Sequence, residues 1–112
     1  MVQKIAIPIT KGELSSHFGH TEQYVIYTVE NDKIVDEIKA IPPEHEYGSH
    51  PRFLRELGCN VVITGGMGMK AQQLLSSFGI KTLIGVPNLP LQELVINYLQ
   101  NKLETGNNRC DH

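Results

Sequence analysis

The sequence has little that would direct the protein to nucleic acid, to a membrane or to secretion. Its formal net charge of −2 provides no basic surface for nucleic acid or anionic lipid. No apolar run approaches the roughly 18 residues that a membrane span needs. The amino-terminal segment Met-Val-Gln-Lys-Ile-Ala-Ile-Pro is too short and too alternating for the apolar part of a signal peptide. We therefore expect a cytoplasmic protein.

Cysteine is also scarce, since Cys59 and Cys110 are the only two. Thiols stay reduced in the cytoplasm, so we do not expect the two cysteines to form a disulfide. Cys59 adjoins an apolar segment and is predicted to be an inert core thiol, whereas Cys110 is predicted to be a metal ligand or a free thiol. No paired C-x-x-C motif is present, which argues against a structural zinc site.

Signatures of catalysis are missing as well. The apolar segments 4–9 and 61–68 contain no acidic residue, so they offer nothing to hold the two divalent metals of a nuclease. Ser15 and Ser16 lie near His17, but there is no Gly-x-Ser-x-Gly elbow with a partnered acid. We expect a protein that is not an enzyme.

The length and composition indicate one globular domain. The chain has 112 residues, of which 40% are hydrophobic and 20% are charged. We expect the domain to span residues 1–104, followed by a short polar tail at 105–112.

The hydrophobic pattern predicts an alternation of strands and helices. Alternating or continuous apolar residues predict five strands, at 2–9, 24–29, 33–41, 61–64 and 80–85. Helical periodicity predicts three helices, at 51–57, 70–78 and 90–103. Short turns should join the first three strands into an antiparallel meander, and the later strands should join in parallel through right-handed crossovers. The order β-β-β-α-β-α-β-α predicts an α/β fold with a five-stranded mixed sheet flanked by helices, in a ribonuclease-H-like arrangement.

A glycine-rich turn, residues 64–68, connects the fourth predicted strand to the second helix. Such a turn directs backbone N–H groups into a cleft in front of the positive end of a helix dipole, and glycine permits close approach of a ligand. Its spacing is neither the dinucleotide fingerprint nor the P-loop. We predict that this turn binds an anionic cofactor through Gly65, Gly66, Met67 and Gly68. The alternatives are a tight turn without a ligand and, for Met67, a filler of the core.

Candidate metal ligands cluster in the predicted loops and the tail. They are His17, His20, His45, Cys110 and His112. Imidazole and thiolate suit zinc, copper and iron rather than magnesium or calcium. The loop after the first strand and the glycine turn should open on the same edge of the sheet. The alternatives are solvated loop histidines and a disordered tail.

A metal–sulfide cluster accounts for both the glycine turn and the candidate metal ligands better than a bare cation does. Its bridging sulfides carry negative charge, which backbone N–H groups can solvate, while histidine or cysteine binds the metal.

Five segments, in order along nearly the whole chain, resemble one known family. They are Ser-His-Phe-Gly-His at 16–20, His-Glu-Tyr-Gly at 45–48, Val-Val-Ile-Thr-Gly-Gly-Met-Gly at 61–68, Gly-Ile at 79–80 and Thr-Gly-Asn-Asn-Arg-Cys-Asp-His at 105–112. Together they resemble the dinitrogenase iron–molybdenum cofactor biosynthesis family, whose small members are similar to NifX and to the carboxy-terminal part of NifB.

The resemblance implies the ribonuclease-H-like fold and a carrier without turnover. The implied ligand is an iron–sulfur or molybdenum-containing cluster, or its precursor, bound noncovalently; one family member holds a molybdenum–copper sulfide cluster. It also implies a possible partner, either a P-loop ATPase that handles iron–sulfur clusters or a protein that receives the cluster. By position, His17 and His20 match the family's first loop, His45 its middle loop, and Cys110 and His112 its closing Cys-x-His.

The sequence departs from the family pattern in two respects. His50 stands where an apolar residue is expected, and the radical-enzyme half of larger relatives is absent, so we expect no cluster synthesis. Family members occur in organisms that do not fix nitrogen, which leaves the link to nitrogenase open. Two other hypotheses stay open: a small-molecule or nucleotide-binding regulatory module that uses the glycine turn, and an adaptor that docks on an ATPase.

Overall fold

The computed structural model describes residues 2–15, 18, 21–43 and 48–106. The strands are β1 (Val2–Thr10), β2 (Glu13–Leu14), β3 (Gln23–Glu30), β4 (Lys33–Ala40), β5 (Val61–Thr64) and β6 (Lys81–Ile84). The helices are α1 (Ser49–Glu56), α2 (Met69–Ser77) and α3 (Leu91–Leu99).

The strands form one mixed sheet in the order β4-β3-β1-β5-β6, with β2 paired to β1. The pairs β1–β3 and β3–β4 are antiparallel, and the pairs β1–β5 and β5–β6 are parallel. The predicted α/β fold with a mixed sheet flanked by helices is confirmed. The predicted number of five strands is wrong, because the described residues already form a sheet of six strands.

The additional strand, β2, forms a hairpin with β1. Lys11 and Gly12 both have positive φ, 54° and 81°, which is the requirement of a two-residue turn between antiparallel strands. The turn pairs Ile9 with Leu14, and Leu14 is buried in the core. The sequence predicted a loop here, because the surrounding residues are polar. A strand of two residues is too short to show a periodic pattern.

Two hydrophobic clusters lie on opposite faces of the sheet. The first contains Ile5 and Ile7 of β1 with Leu94 of α3. The second contains Ala6 of β1 with residues of α1 and α2. Because β1 is buried on both faces, it can carry the continuous apolar run seen in its sequence.

Helix α3 is shorter than predicted. It ends at Leu99, whereas the apolar period predicted a helix to Leu103. Asn101 has a φ of 58°, a left-handed conformation that ends helices and that asparagine tolerates well. Leu103 nevertheless packs against the first cluster, which explains why it fits the apolar period.

One end of the sheet collects the carboxyl ends of the parallel strands, and we call it the carboxyl edge. Thr64 at the end of β5 pairs with Ile84 at the end of β6. Tyr24, near the start of β3, pairs with Pro8 near the end of β1 and therefore lies at the same edge. Within the described residues, no helix combines the length and the apolar character needed to cross a membrane.

Candidate binding site at the carboxyl edge

The glycine turn at residues 64–68 is largely buried, and the Thr64 hydroxyl forms hydrogen bonds with part of its backbone. Gly65, Gly66 and Met67 are buried, and Gly68 is half-buried. The Thr64 hydroxyl donates to the Gly66 carbonyl at 3.1 Å and accepts from the Gly66 N–H at 3.4 Å. The Gly66 N–H is therefore used inside the turn.

Gly68 is the most accessible glycine of this turn. Its φ of −68° and ψ of 157° are open to any residue, and a Cβ built on it would meet no atom of the described residues within 4 Å. The fold itself does not require glycine there. Open space above a bare backbone is the condition under which a ligand can approach closely.

Gly68 immediately precedes helix α2, whose amino end lies at the carboxyl edge. Among the described residues, no side chain caps this end, and the first turn of the helix contains no acidic residue. The exposed Lys70 lies in this turn. A cation at the amino end of a helix opposes the helix dipole, so the local charge favours an anion.

Met67 is fully buried in the second cluster, where it packs with side chains such as Leu75. This location fits the alternative that Met67 fills the core. Its role in binding a cofactor stays a prediction.

The loop after β2 reaches the glycine turn through Phe18. The Phe18 N–H donates to the Gly66 carbonyl at 2.9 Å, and the Phe18 side chain is only 5% exposed. In the sequence, His17 immediately precedes Phe18, and His20 follows two positions later. The expectation that this loop and the glycine turn share one edge is confirmed at Phe18.

A buried aromatic group lies under this contact. The Tyr24 hydroxyl and the His50 Nδ1 are 2.9 Å apart, and His50 is 3% exposed. The Phe18 ring packs against both, with centroid distances of 5.6 Å to Tyr24 and 6.2 Å to His50. Sequence reasoning missed this group; the one available signal was a histidine at a position that suits an apolar residue.

The described chain ends at the same edge. The Gly106 N–H donates to the Ile84 carbonyl at 3.3 Å, and a Cβ on Gly106 would lie 3.3 Å from the Gly85 carbonyl oxygen. Because Ile84 pairs with Thr64, residue 106 lies close to the start of the glycine turn. Residues 107–112, which include Cys110 and His112, continue from this point in the sequence.

All the predicted metal ligands lie outside the described residues. They are His17, His20, His45, Cys110 and His112. Within residues 2–15, 18, 21–43 and 48–106, there is no group of three or more His, Cys, Asp or Glu side chains that could hold a metal ion. The metal-ligand set therefore stays a prediction.

Cys59 is a buried free thiol, as predicted. Burial raises the pKa of the Cys59 thiol to about 11, with the charge of Lys4 opposing the shift. Since the thiolate is the form that binds metals, Cys59 is poorly suited as a ligand at neutral pH.

A separate cleft of about 230 Å³ lies between the β1–β2 turn and the start of α3. Glu13, Leu14 and Asn88 are among its described lining residues, and none of the four predicted residues of the glycine turn is. It is smaller than the roughly 300–1,000 Å³ of typical small-molecule sites. The glycine turn is therefore the stronger candidate.

These features define a small α/β protein in which a glycine turn, a loop and the end of the described chain meet at one end of a mixed sheet. A family model described as dinitrogenase iron-molybdenum cofactor matches residues 1–101. The chain belongs to this family, which confirms the resemblance found in the sequence.

Similar proteins extend this comparison. The uncharacterized protein MJ0580 of Methanocaldococcus jannaschii is 28% identical over 109 residues, which cover 92% of this chain and 91% of that protein. The crystal structure of PH0822 has a TM-score of 0.87 at 24% identity, covering 98% of this chain and all of the other. The apo form of the orange protein from Desulfovibrio gigas has a TM-score of 0.74 at 23% identity, covering 93% and 92%. The two structural likenesses establish the fold alone.

Proposed function

We propose that this protein is a non-catalytic carrier that binds an iron–sulfur or molybdenum-containing metallocluster, or its precursor, without a covalent bond. The family supports an association with the iron–molybdenum cofactor. The observation that carries the proposal is the hydrogen bond from the Phe18 N–H to the Gly66 carbonyl. It joins the loop whose sequence contains His17 and His20 to the turn that is best suited to an anion.

In the proposed site, different residues bind the two chemical faces of a cluster. His17, His20 and His45 would bind the metal, because imidazole suits iron and copper. Gly68 and the amino end of α2 would solvate negatively charged sulfides.

The carboxy-terminal tail would complete the site. The hydrogen bond between Gly106 and Ile84 starts the tail at the carboxyl edge, which supports a role for Cys110 and His112 as a second clamp. The recipient of the cluster would be another protein, and a P-loop ATPase is one candidate that the family resemblance suggests.

The nucleotide-binding alternative has less support. A phosphate cradle uses several consecutive backbone N–H groups that point at the ligand. In this turn, the Gly66 N–H is bound to Thr64 and the Gly66 carbonyl accepts from Phe18. Because the backbone groups of Gly66 already bond within the protein, fewer of them are available to hold a phosphate. A metallocluster would be held by side chains as well, so this turn suits it better.

We also propose the ribonuclease-H-like classification for the fold. The sheet order β4-β3-β1-β5-β6, with an antiparallel meander followed by two parallel strands, supports it. The classification carries no activity with it.

Reconstitution of the apo-protein under anaerobic conditions tests the carrier proposal. The protein is incubated with tetrathiomolybdate and Cu(I), or separately with Fe(II) and sulfide, and is then desalted. We expect retained visible absorption and bound metal in the wild type, and loss of both in His17→Ala, because one metal bond would be missing.

Glu30→Ala is the matched control. Glu30 is an exposed side chain that could bind metal, but it pairs with Val2 at the opposite end of the sheet. We expect this variant to retain the cluster like the wild type. A wild-type protein that stays colourless and metal-free with both sources would refute the carrier proposal for these ligands. Equal retention by the wild type and His17→Ala would exclude His17 from the site.

A further inference from the structure

We propose that the hydrogen bond between Tyr24 and His50 is a latch that positions Phe18 against the glycine turn. Tyr24 and His50 are then positioning residues of the cluster site. Their effect on cluster binding depends on the proposed function, whereas their effect on Phe18 does not.

The latch joins two elements that are distant in sequence. Tyr24 lies near the start of β3, and His50 lies in the first turn of α1. The Tyr24 hydroxyl and the His50 Nδ1 are 2.9 Å apart, and both side chains are buried. A buried hydrogen bond of this kind fixes the orientation of both rings, because water cannot easily replace either partner.

Phe18 rests on the two latched rings. Its ring is tilted by 59° to Tyr24 and meets His50 edge-on at 76°. Tilted and edge-to-face arrangements are favoured for aromatic rings and depend on orientation. If the latch opens, these ring contacts change together.

The backbone of Phe18 connects the latched rings to the glycine turn. Its N–H donates to the Gly66 carbonyl, so a shift of Phe18 strains or breaks the contact between the loop and the glycine turn. Phe18 is also the direct sequence neighbour of His17. Contacts therefore run from His50 through Tyr24 and Phe18 to the glycine turn. This role explains why a polar residue occupies the apolar environment of position 50.

Hydrogen exchange of the Phe18 amide tests the latch in the apo-protein. Tyr24→Phe removes the hydroxyl and keeps the ring. We expect Phe18 to exchange about fivefold to tenfold faster than in the wild type, relative to the amides of β1, because one buried hydrogen bond is lost.

Tyr27→Phe is the matched control. Tyr27 is also a buried tyrosine of β3, and it bonds to Glu37, but it packs in the cluster on the other face of the sheet. We expect Phe18 exchange to stay at the wild-type rate in this variant. Equal acceleration in Tyr24→Phe and Tyr27→Phe, or no acceleration in Tyr24→Phe, would overturn the latch.

Two substitutions of His50 separate positioning from space filling. His50→Asn keeps a polar atom near the position of Nδ1 but leaves a gap, whereas His50→Leu fills the space without a hydrogen bond. The latch predicts that Phe18 exchange in His50→Asn is closer to the wild-type rate than in His50→Leu. The reverse order would show that His50 only fills space and would overturn the proposal.

Cluster binding provides the functional result. We expect Tyr24→Phe to weaken retention of the tetrathiomolybdate–Cu(I) probe by about fivefold to tenfold, matching the effect on Phe18, while Tyr27→Phe retains it normally. Normal retention in Tyr24→Phe despite faster Phe18 exchange would refute the positioning role at the site. If the wild type binds no probe, the carrier proposal fails, and the exchange data still decide whether the latch exists.

Discussion

Gly48 and Gly68 each precede a helix at the carboxyl edge, but the fold makes different demands on them. Gly48 has a φ of 73°, and a Cβ there would lie 2.7 Å from Nη1 of Arg52. Gly68 has an ordinary φ, and a Cβ there would lie more than 4 Å from every atom in the part of the chain that the structure describes. Gly48 therefore serves the fold, whereas Gly68 is free to serve a ligand.

Alanine at the two positions should separate these roles. We expect Gly48→Ala to lower the free energy of unfolding by about 1–2 kcal/mol, because alanine is strained at positive φ. Gly68→Ala should change it by less than about 0.5 kcal/mol. Denaturant titration measures both.

For cluster binding, we expect the substitution at Gly68 to have the larger effect. Gly68→Ala should weaken retention of the metal–sulfide probe, because the new methyl group occupies the open space over the turn. A Gly68→Ala variant that folds stably and retains the probe like the wild type would exclude Gly68 from the site.

Cys59 should make stability depend on alkaline pH. Its folded pKa of about 11 lies above that of an unfolded thiol, so the unfolded state loses its proton first as the pH rises. The contribution of Cys59 to stability is complete below about pH 9, the ordinary pKa of the thiol. It should fall by about 2 kcal/mol as the pH rises to 11.

Denaturant titrations of wild type and Cys59→Ala at pH 7, 9 and 10.5 measure this effect. The difference in free energy of unfolding between the two proteins should shrink as the pH rises. Tyr27, whose pKa burial and Glu37 raise to about 12, is present in both proteins and cancels from the comparison. A difference that stays constant to pH 10.5 would contradict the raised thiol pKa.

At the scale of elements, local signals predicted most of the fold. The alternation in β3 and the apolar run of β5 correctly predicted strands, because burial on one or two faces leaves a clear periodic pattern. Two features were missed for physical reasons. β2 is too short for a period, and the end of α3 is set by the left-handed Asn101 rather than by hydrophobicity.

The tail after residue 106 should act as a separate functional element. The family model ends at residue 101, and the anchor between Gly106 and Ile84 precedes the tail. We expect deletion of residues 107–112 to change the free energy of unfolding by less than about 0.5 kcal/mol, because it removes none of the described residues that form the two hydrophobic clusters. The same deletion should weaken cluster retention, because Cys110 and His112 are removed.

The double variant Cys110→Ala/His112→Ala in the full-length chain is the control for this deletion. It should weaken retention as much as the deletion does. If the deletion retains the cluster fully, the tail has no role in binding; if only the deletion weakens retention, other tail residues are responsible.

At the scale of the whole molecule, the candidate site depends on contacts that no local pattern encodes. The parallel geometry predicted that the loop after the first strand and the glycine turn share one edge, and Phe18 confirms it. The pairing of Tyr24 with His50 was not predictable, because side chains distant in sequence meet only once the sheet and α1 are assembled. Local patterns were therefore sufficient to predict an α/β fold with a mixed sheet, whereas the arrangement of side chains at the site was not predictable from them.

The β3–β4 hairpin turns at Asn31 and Asp32, both with positive φ, at the end of the sheet where β1 begins. That end is remote from the glycine turn, because β1 separates the two along its length. A fluorescent reporter or an immobilisation tag inserted between Asn31 and Asp32 would leave the carboxyl edge open to solvent. The hairpin is thus a suitable attachment point for measuring binding and release of a cluster in real time on an immobilised protein.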